Sequence, residues 1–199
     1  FKDENSSNLT EDEIIAHLSR YEFKTVTTVQ QLEHIVKTIQ EKKLVAFDTE
    51  TNGYEKPLQA ECVGISLCMQ EGIAYYVPFG HNVPEKQLDK EVVIASLKPL
   101  FEDQAIGKIA HNANFDIQVM YGLGIHVRGL VFDTIVAANL VTKDWERKNL
   151  KYLSEHFLGD PMLTYAHVVK DNKYKDFSYV PLDLATLYSG ADAHQTFKL

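Results

Sequence analysis

Two carboxylates separated by a single residue close an apolar run in Val45-Ala46-Phe47-Asp48-Thr49-Glu50-Thr51. On a strand, residues i and i+2 face the same side, so Asp48 and Glu50 converge. Carboxylates held together repel, and a hard divalent cation relieves that repulsion. A solvated strand end would carry the same pair with no metal, so the pair needs support from elsewhere in the chain. Tyr188-Ser189-Gly190-Ala191-Asp192 spaces a phenol and a carboxylate by four, which stacks them on one helical face. Taken alone, this is also what a packed tyrosine beside an exposed aspartate looks like. Gly190 within that helix costs about 1 kcal/mol relative to alanine, which implies a close approach to the backbone there. His111-Asn112-Ala113-Asn114-Phe115-Asp116 places a polar cluster after a strand-like run, with Asp116 in the first turns of the next helix. Strand ends and helix starts are where α/β folds build sites. The plainer roles are a helix-dipole carboxylate for Asp116 and a cap for Asn112.

These residues need elements to hold them. Apolar residues recur at helical spacing from Thr28 to Gln40, and Leu44 to Phe47 suits a buried strand. Cys62 to Met69 and Ile73 to Phe79 read as strands, joined by Gln70-Glu71-Gly72 into a hairpin. Helical patterns follow over Glu85 to Glu102, Asn114 to Tyr121 (closed by Gly122) and Thr134 to Val141, with strand-like runs at Ile106 to Ala110 and Val131-Phe132. Asn149 to Leu158 and Pro181 to Leu199 are mostly helical, with a polar loop between them, and Pro181 fits a first helical turn. The expected fold is α/β: a mixed sheet, three antiparallel strands and then parallel ones, flanked by helices. Residues 1–24 are polar and, apart from an amphipathic stretch at Glu11 to Leu18, read as a linker or N-terminal arm; residues 25–199 form the domain.

The chain has 199 residues, 45% of them hydrophobic, enough for one sizeable core. No apolar run approaches the roughly 20 residues that span a bilayer, so no membrane partner is expected. The chain opens on Phe1 and stops while a helical pattern is still running, as an excised fragment would. Cys62 and Cys68 lie on one strand-like run about 20 Å long, out of disulfide reach, and suit a reducing, cytoplasmic setting. The net charge of −8 looks unfavourable for nucleic acid. That objection weakens where the acidic residues gather in one site and divalent cations neutralise them.

The order of the three pieces carries more than any one of them. Asp-x-Glu on a strand, then His-Asn-x-x-x-Asp, then Tyr-x-x-x-Asp on a late helix resembles the three exonuclease motifs of the DEDD superfamily, tyrosine branch. More closely, residues Thr25 to Leu199 resemble the proofreading 3′-5′ exonuclease domain of bacterial family A DNA polymerases, the DNA polymerase I type. Ala74 to His81, Phe132-Asp133-Thr134 and Leu150 to Glu155 support the resemblance. It implies a ribonuclease H-like fold and removal of nucleoside 5′-monophosphates from a DNA 3′ end, single-stranded or frayed. It also implies a polymerase domain C-terminal in the same polypeptide. Asp48, Glu50, Asp116 and Asp192 would hold two divalent ions, with Tyr188 positioning the attacking water. Oxygen-only ligands with no neighbouring Cys/His cluster suit magnesium or manganese rather than zinc.

Candidate substrate contacts are Asn112 to a phosphate or sugar, Thr51 to the terminal nucleotide, Tyr54 and Tyr165 stacking on unpaired bases, and Arg147 to a phosphate. Each also reads as an ordinary surface or core residue. His111 sits beside the site, since Tyr188 stands where the histidine branch has its base. Asp133 reads as structural, and His81 and His194 as packed histidines. The alternatives are a ribonuclease D-like RNA 3′-end exonuclease with the same chemistry, a catalytically silent scaffold domain of a polymerase, and a generic metal phosphatase.

Overall fold

Residues 9–53, 56–144 and 146–199 are described by the computed structural model. The chain begins with α1 (Glu11–Leu18) and β1 (Glu22–Thr25), followed by α2 (Val29–Lys42) and β2 (Leu44–Thr51). The hairpin β3 (Cys62–Gln70) and β4 (Ile73–Pro78) leads to α3 (Lys90–Glu102), β5 (Gly107–Ala110), α4 (Ala113–Gly122), β6 (Leu130–Asp133) and α5 (Thr134–Val141). Short α6 (Leu150–Leu153) runs on into a wide π turn, Ser154–Leu158, and long α7 (Leu182–Lys198) ends the chain.

Local chemistry sets the helix starts. Thr28 and Gln31 form a capping box on α2, satisfying two N–H groups that a helix N-terminus leaves open. Asp89 caps α3, so this helix starts five residues later than its apolar pattern suggests. The stretch 149–158, read as mostly helical, is one α turn running on into one π turn, stopped where Gly159 takes a left-handed conformation (φ 67°).

The six strands run in the order β1-β4-β3-β2-β5-β6. β2, β3 and β4 are antiparallel neighbours, and β5 and β6 continue parallel to β2. This is the mixed sheet expected from the sequence, with one addition. β1 pairs parallel with β4, Phe23 opposite Ala74, so the segment read as an arm supplies an edge strand. α1 buries Ile14 and Leu18 in the cluster that also holds Val169, Phe177 and Ala185. The linker reading of residues 1–24 therefore does not describe residues 9–24; residues 1–8 lie outside the described part.

Alternation along β2 decides which side the acids face. Val45 and Phe47 enter the core shared with α2, α3 and α4, while Ala46 packs with Cys68, Ala74 and Ala193 of α7. These small residues let α7 lie close across β1 to β5. As a result α7 is buried nearly all round from Tyr188 to Thr196, which explains why it shows no amphipathic stripe. Asp48 and Glu50 share the parity of Ala46 and so point toward α7 at its Tyr188–Asp192 turn.

Candidate active site

The carboxylates meet where β2 leaves the sheet. One oxygen each from Asp48, Glu50 and Asp192 lie within 4.8 Å of one another. Glu50 and Asp192 are buried and Asp48 partly so. Ser189 Oγ donates to Glu50 Oε1 at 2.7 Å, fixing that carboxylate from α7. Asp192 Oδ1 accepts from Lys151 Nζ of α6, and the same ammonium lies 4.3 Å from the centroid of the Tyr188 ring.

Asp116 arrives from the opposite side. Thr49 has the other parity on β2, so it faces α4, and both its N–H (2.9 Å) and Oγ1 (2.7 Å) donate to Asp116 Oδ1. One oxygen of Asp116 is thus tied to the strand that carries Asp48 and Glu50. Asp48 stands between the two halves: after burial, the charge acting on it most is that of Asp116, followed by Glu50 and Asp192.

Burial pushes all four acids upward, and the neighbouring carboxylates of the cluster add to it at Asp48 and Glu50. Glu50 rises to about 8, mainly through burial and then through Asp192, while the Ser189 hydrogen bond opposes the rise. Asp116 rises to about 7 through burial, against the two Thr49 hydrogen bonds. Asp48 is raised well above its usual range by burial and its three acidic neighbours. Asp192 is raised by burial and held back by Lys151. Burial and the neighbouring carboxylates also raise Tyr188, so its phenol is protonated at neutral pH.

These groups line an open cavity of about 520 Å³. Thr51, Asn112 and Tyr165 line it as well, together with Lys148, Gly53 and Phe115. Tyr165 is 36% exposed and its hydroxyl lies over Gly53, 3.3 Å from where a Cβ would stand. Gly53 has φ +91°, the left-handed region that favours glycine, and turns the chain out of β2 toward this wall. Asn112 takes a left-handed conformation (φ 62°) and does not cap α4. Asp133 caps it instead, accepting from the N–H groups of Asn112 and Ala113 at 2.9 Å each. That leaves the Asn112 side chain on the cavity and gives Asp133 the structural role its sequence position suggested. Arg147 lines the adjoining cavity of about 420 Å³ with Lys151, Asn149 and His167, rather than the acidic one. Tyr54 lies outside the described residues.

The histidines stay out of the acidic cluster. Thr134 Oγ1 lies 2.7 Å from His111 Nδ1, and burial lowers the ring to about 4, so it is neutral beside the cavity. His81 is fully paired, to the Tyr76 hydroxyl at 2.7 Å and the Val180 carbonyl at 3.1 Å. His194 Nε2 accepts from Gly72 N–H at 2.8 Å, but its buried Nδ1 has no hydrogen-bond partner among the described residues.

Sequence spacing did not flag Lys151, Ser189 or Thr49 as parts of the site. Strand parity carries a signal for Thr49, since the residue between two converging acids must face the other way. Nothing comparable points to Lys151.

A sequence family described as 3′-5′ exonuclease matches residues 23–199. DNA polymerase I of Chloroflexus aurantiacus is 36% identical over 169 residues, covering 84% of this chain and 18% of that protein. DNA polymerase I of Pseudomonas aeruginosa is 34% identical over 170 residues, covering 82% of this chain and 18% of that protein. The chain therefore spans about a fifth of the length of these relatives. Among solved structures, RNase D of Trypanosoma brucei superposes with a TM-score of 0.69 at 15% identity, covering 91% of this chain and 64% of that one. Brucella melitensis NrnC bound to pGG gives 0.60 at 22% identity, covering 78% and 69%. At these identities the likeness is one of fold, and it is the ribonuclease H-like fold expected from the motif order.

Proposed function

The chain belongs to the 3′-5′ exonuclease family found as a domain of family A DNA polymerases, and on that premise we propose that it hydrolyses the terminal phosphodiester at a DNA 3′ end, single-stranded or frayed, and releases nucleoside 5′-monophosphates. The observation that carries this reading is the convergence of Asp48, Glu50 and Asp192 within 4.8 Å, in a cavity that Asp116 and Tyr188 also line.

The donor set fits divalent metal. Four buried carboxylates whose proton affinity is raised gain from a cation of higher charge than a proton, and all-oxygen donors suit magnesium or manganese. Asp48, Glu50 and Asp192 would hold one ion, and Asp48 with Asp116 the second. Two such ions lower the pKa of a water and stabilise charge on the leaving 3′ oxygen. Tyr188, protonated and fixed on α7, orients the attacking water through its hydroxyl. Ser189 and Thr49 keep Glu50 and Asp116 aimed. Asn112 and Thr51 contact the terminal nucleotide, and Tyr165 offers a ring on which an unpaired base stacks, worth about 1–3 kcal/mol and indifferent to sequence. Arg147, in the adjoining cavity, suits a phosphate further along the strand.

The relatives similar in sequence are DNA polymerases, which favours DNA over RNA as substrate. Because the chain corresponds to only 18% of their length, we place a polymerase portion in the same polypeptide. The exposed apolar side chains of Phe132, Val141 and Phe157, which line one shared hollow, are a surface suited to meeting it. No helix among the described residues is long and apolar enough to cross a membrane. Cys62 and Cys68 are free and buried, which agrees with a cytoplasmic setting.

End-labelled single-stranded DNA and RNA, incubated with the protein and Mg2+ or Mn2+, test the reading. Stepwise shortening of DNA to 5′-monophosphates is expected, abolished by chelator and by Asp48→Ala with Glu50→Ala. A clear preference for RNA would move the assignment to a ribonuclease D-like enzyme. Metal-dependent degradation that survives the double substitution would remove the site.

A further inference from the structure

The acidic site carries its own cation. Lys151 stands on α6, whose first turn is fixed by Asn149 Oδ1 accepting from Tyr152 N–H at 3.0 Å and by the buried side chains of Leu150 and Leu153. From there its ammonium reaches Asp192 Oδ1 and the face of Tyr188 together, residues one helical turn apart on α7. It lowers the proton affinity of Asp192, and its charge also acts on Asp48 and Glu50. One oxygen of the Asp192 carboxylate is also among those placed to bind a metal.

We propose that Lys151 is a resident counter-cation of the acidic site, which must release Asp192 before a divalent ion binds there and so sets the affinity of the site for metal. The proposal rests on the metal-site reading above and deepens it. An ammonium and a divalent ion cannot share one carboxylate oxygen without strong like-charge repulsion at that distance. Lysine can leave, because it is a compact charge on a flexible four-carbon stem. Its side chain is 24% exposed and also lines the adjoining cavity of about 420 Å³, which gives the displaced ammonium somewhere to go. Without metal, the ammonium partly offsets the repulsion among buried acids. With metal, it is displaced toward the cavity that Arg147 lines.

A purely structural role makes the opposite forecast. If Lys151 only holds Asp192 in place, removing it loosens a ligand and weakens metal binding. If it competes, removing it strengthens binding. Mn2+ titration of metal-stripped protein by calorimetry, with Lys151→Met keeping the stem and Lys151→Arg keeping the charge, separates the two. Lys151→Met is expected to bind Mn2+ about fivefold tighter than wild type, the scale of a partly exposed ion pair. Lys151→Arg should stay within about twofold of wild type. The metal-free melting temperature of Lys151→Met should fall below that of wild type and recover more on adding Mn2+. Unchanged or weaker Mn2+ binding by Lys151→Met would overturn the competition. If wild type and both variants fail to bind Mn2+, the metal site itself is wrong and the proposal goes with it.

Discussion

Tyr188 and Ser189 are neighbours in sequence that serve the acidic cluster in different ways. Ser189 gives Glu50 a hydrogen bond of 2.7 Å, while Tyr188 presents its ring to Lys151 and lines the cavity. Their loss should therefore be felt differently. Tyr188→Phe removes a hydroxyl but no ligand, so Mn2+ affinity should stay at the wild-type level while kcat falls about 100-fold, the lower range for a group that positions a proton-bearing nucleophile. Ser189→Ala frees a carboxylate that the serine aims, and should weaken Mn2+ binding about tenfold, as loss of a ligand's supporting partner does. Binding isotherms and single-turnover rates on the same preparations check both; a Tyr188→Phe variant with full kcat would remove the tyrosine from the chemistry. Asp48 with Glu50 and Tyr188 with Asp192 were legible as pairs because strand and helix periods of 2 and 3.6 act over a few residues. Asp116 and the site as a whole were legible only through the order of the three motifs. Lys151 and Ser189 were not, because their partners lie 41 and 139 positions away and no local period links them.

At the scale of elements, closeness between α7 and the sheet sets the geometry of the site. Gly190 sits against Phe23 of β1, and a Cβ there would come within 2.8 Å of Phe23 Cγ and 2.9 Å of its Cβ. The sequence indicated that something approaches this glycine, but not that it is a strand in a segment that reads as an arm. Glu22-Phe23-Lys24-Thr25 is four residues long and charged at alternate positions, too short for its period to stand out from a polar tail. Gly190→Ala gains about 1 kcal/mol of helix propensity but meets an overpacked contact costing about 1–3 kcal/mol. Net destabilisation of about 1 kcal/mol is expected in urea unfolding, with a lower exonuclease rate as Tyr188 and Asp192 shift. In a Phe23→Gly background, which removes the Cβ as well as the ring, the same substitution should become neutral or stabilising, because the clash is gone. Equal effects in both backgrounds would mean that β1 does not pack on α7 as described. A second tie joins α1 and the turn before β1 to the end of α7: Asp160 accepts from Tyr21 (3.0 Å) and Lys198 (2.6 Å), and pairs with His17 (2.9 Å) and Arg20. Burial alone would raise this carboxyl, yet the bonds from Lys198, His17 and Tyr21 hold it far below the usual carboxylate range.

For the whole molecule, the net charge of −8 and the crowded acids make stability depend on pH and metal together. Glu50, at about 8, and Asp116, at about 7, bind protons more tightly folded than unfolded, where a carboxyl titrates near about 4. The folded chain then holds more protons than the unfolded one, so the stability contributed by these groups is present at low pH and is lost as pH rises through about 7 to 8. His81, His111 and His194, each lowered to about 4 by burial, act oppositely: they take up protons on unfolding and favour the folded state as pH rises toward about 6.5. Above about pH 7 the histidines are neutral in both states and the acids dominate. Metal-free protein should therefore lose melting temperature between about pH 6.5 and 8 and level off above that. A saturating divalent ion takes the place of the protons, so the stabilisation by Mg2+ or Mn2+ should grow over the same interval. Thermal melts at pH 6, 7, 8 and 9 in chelator and in excess Mn2+ check this. If the Mn2+ increment is the same at every pH, the carboxylates that titrate are not those that bind the metal.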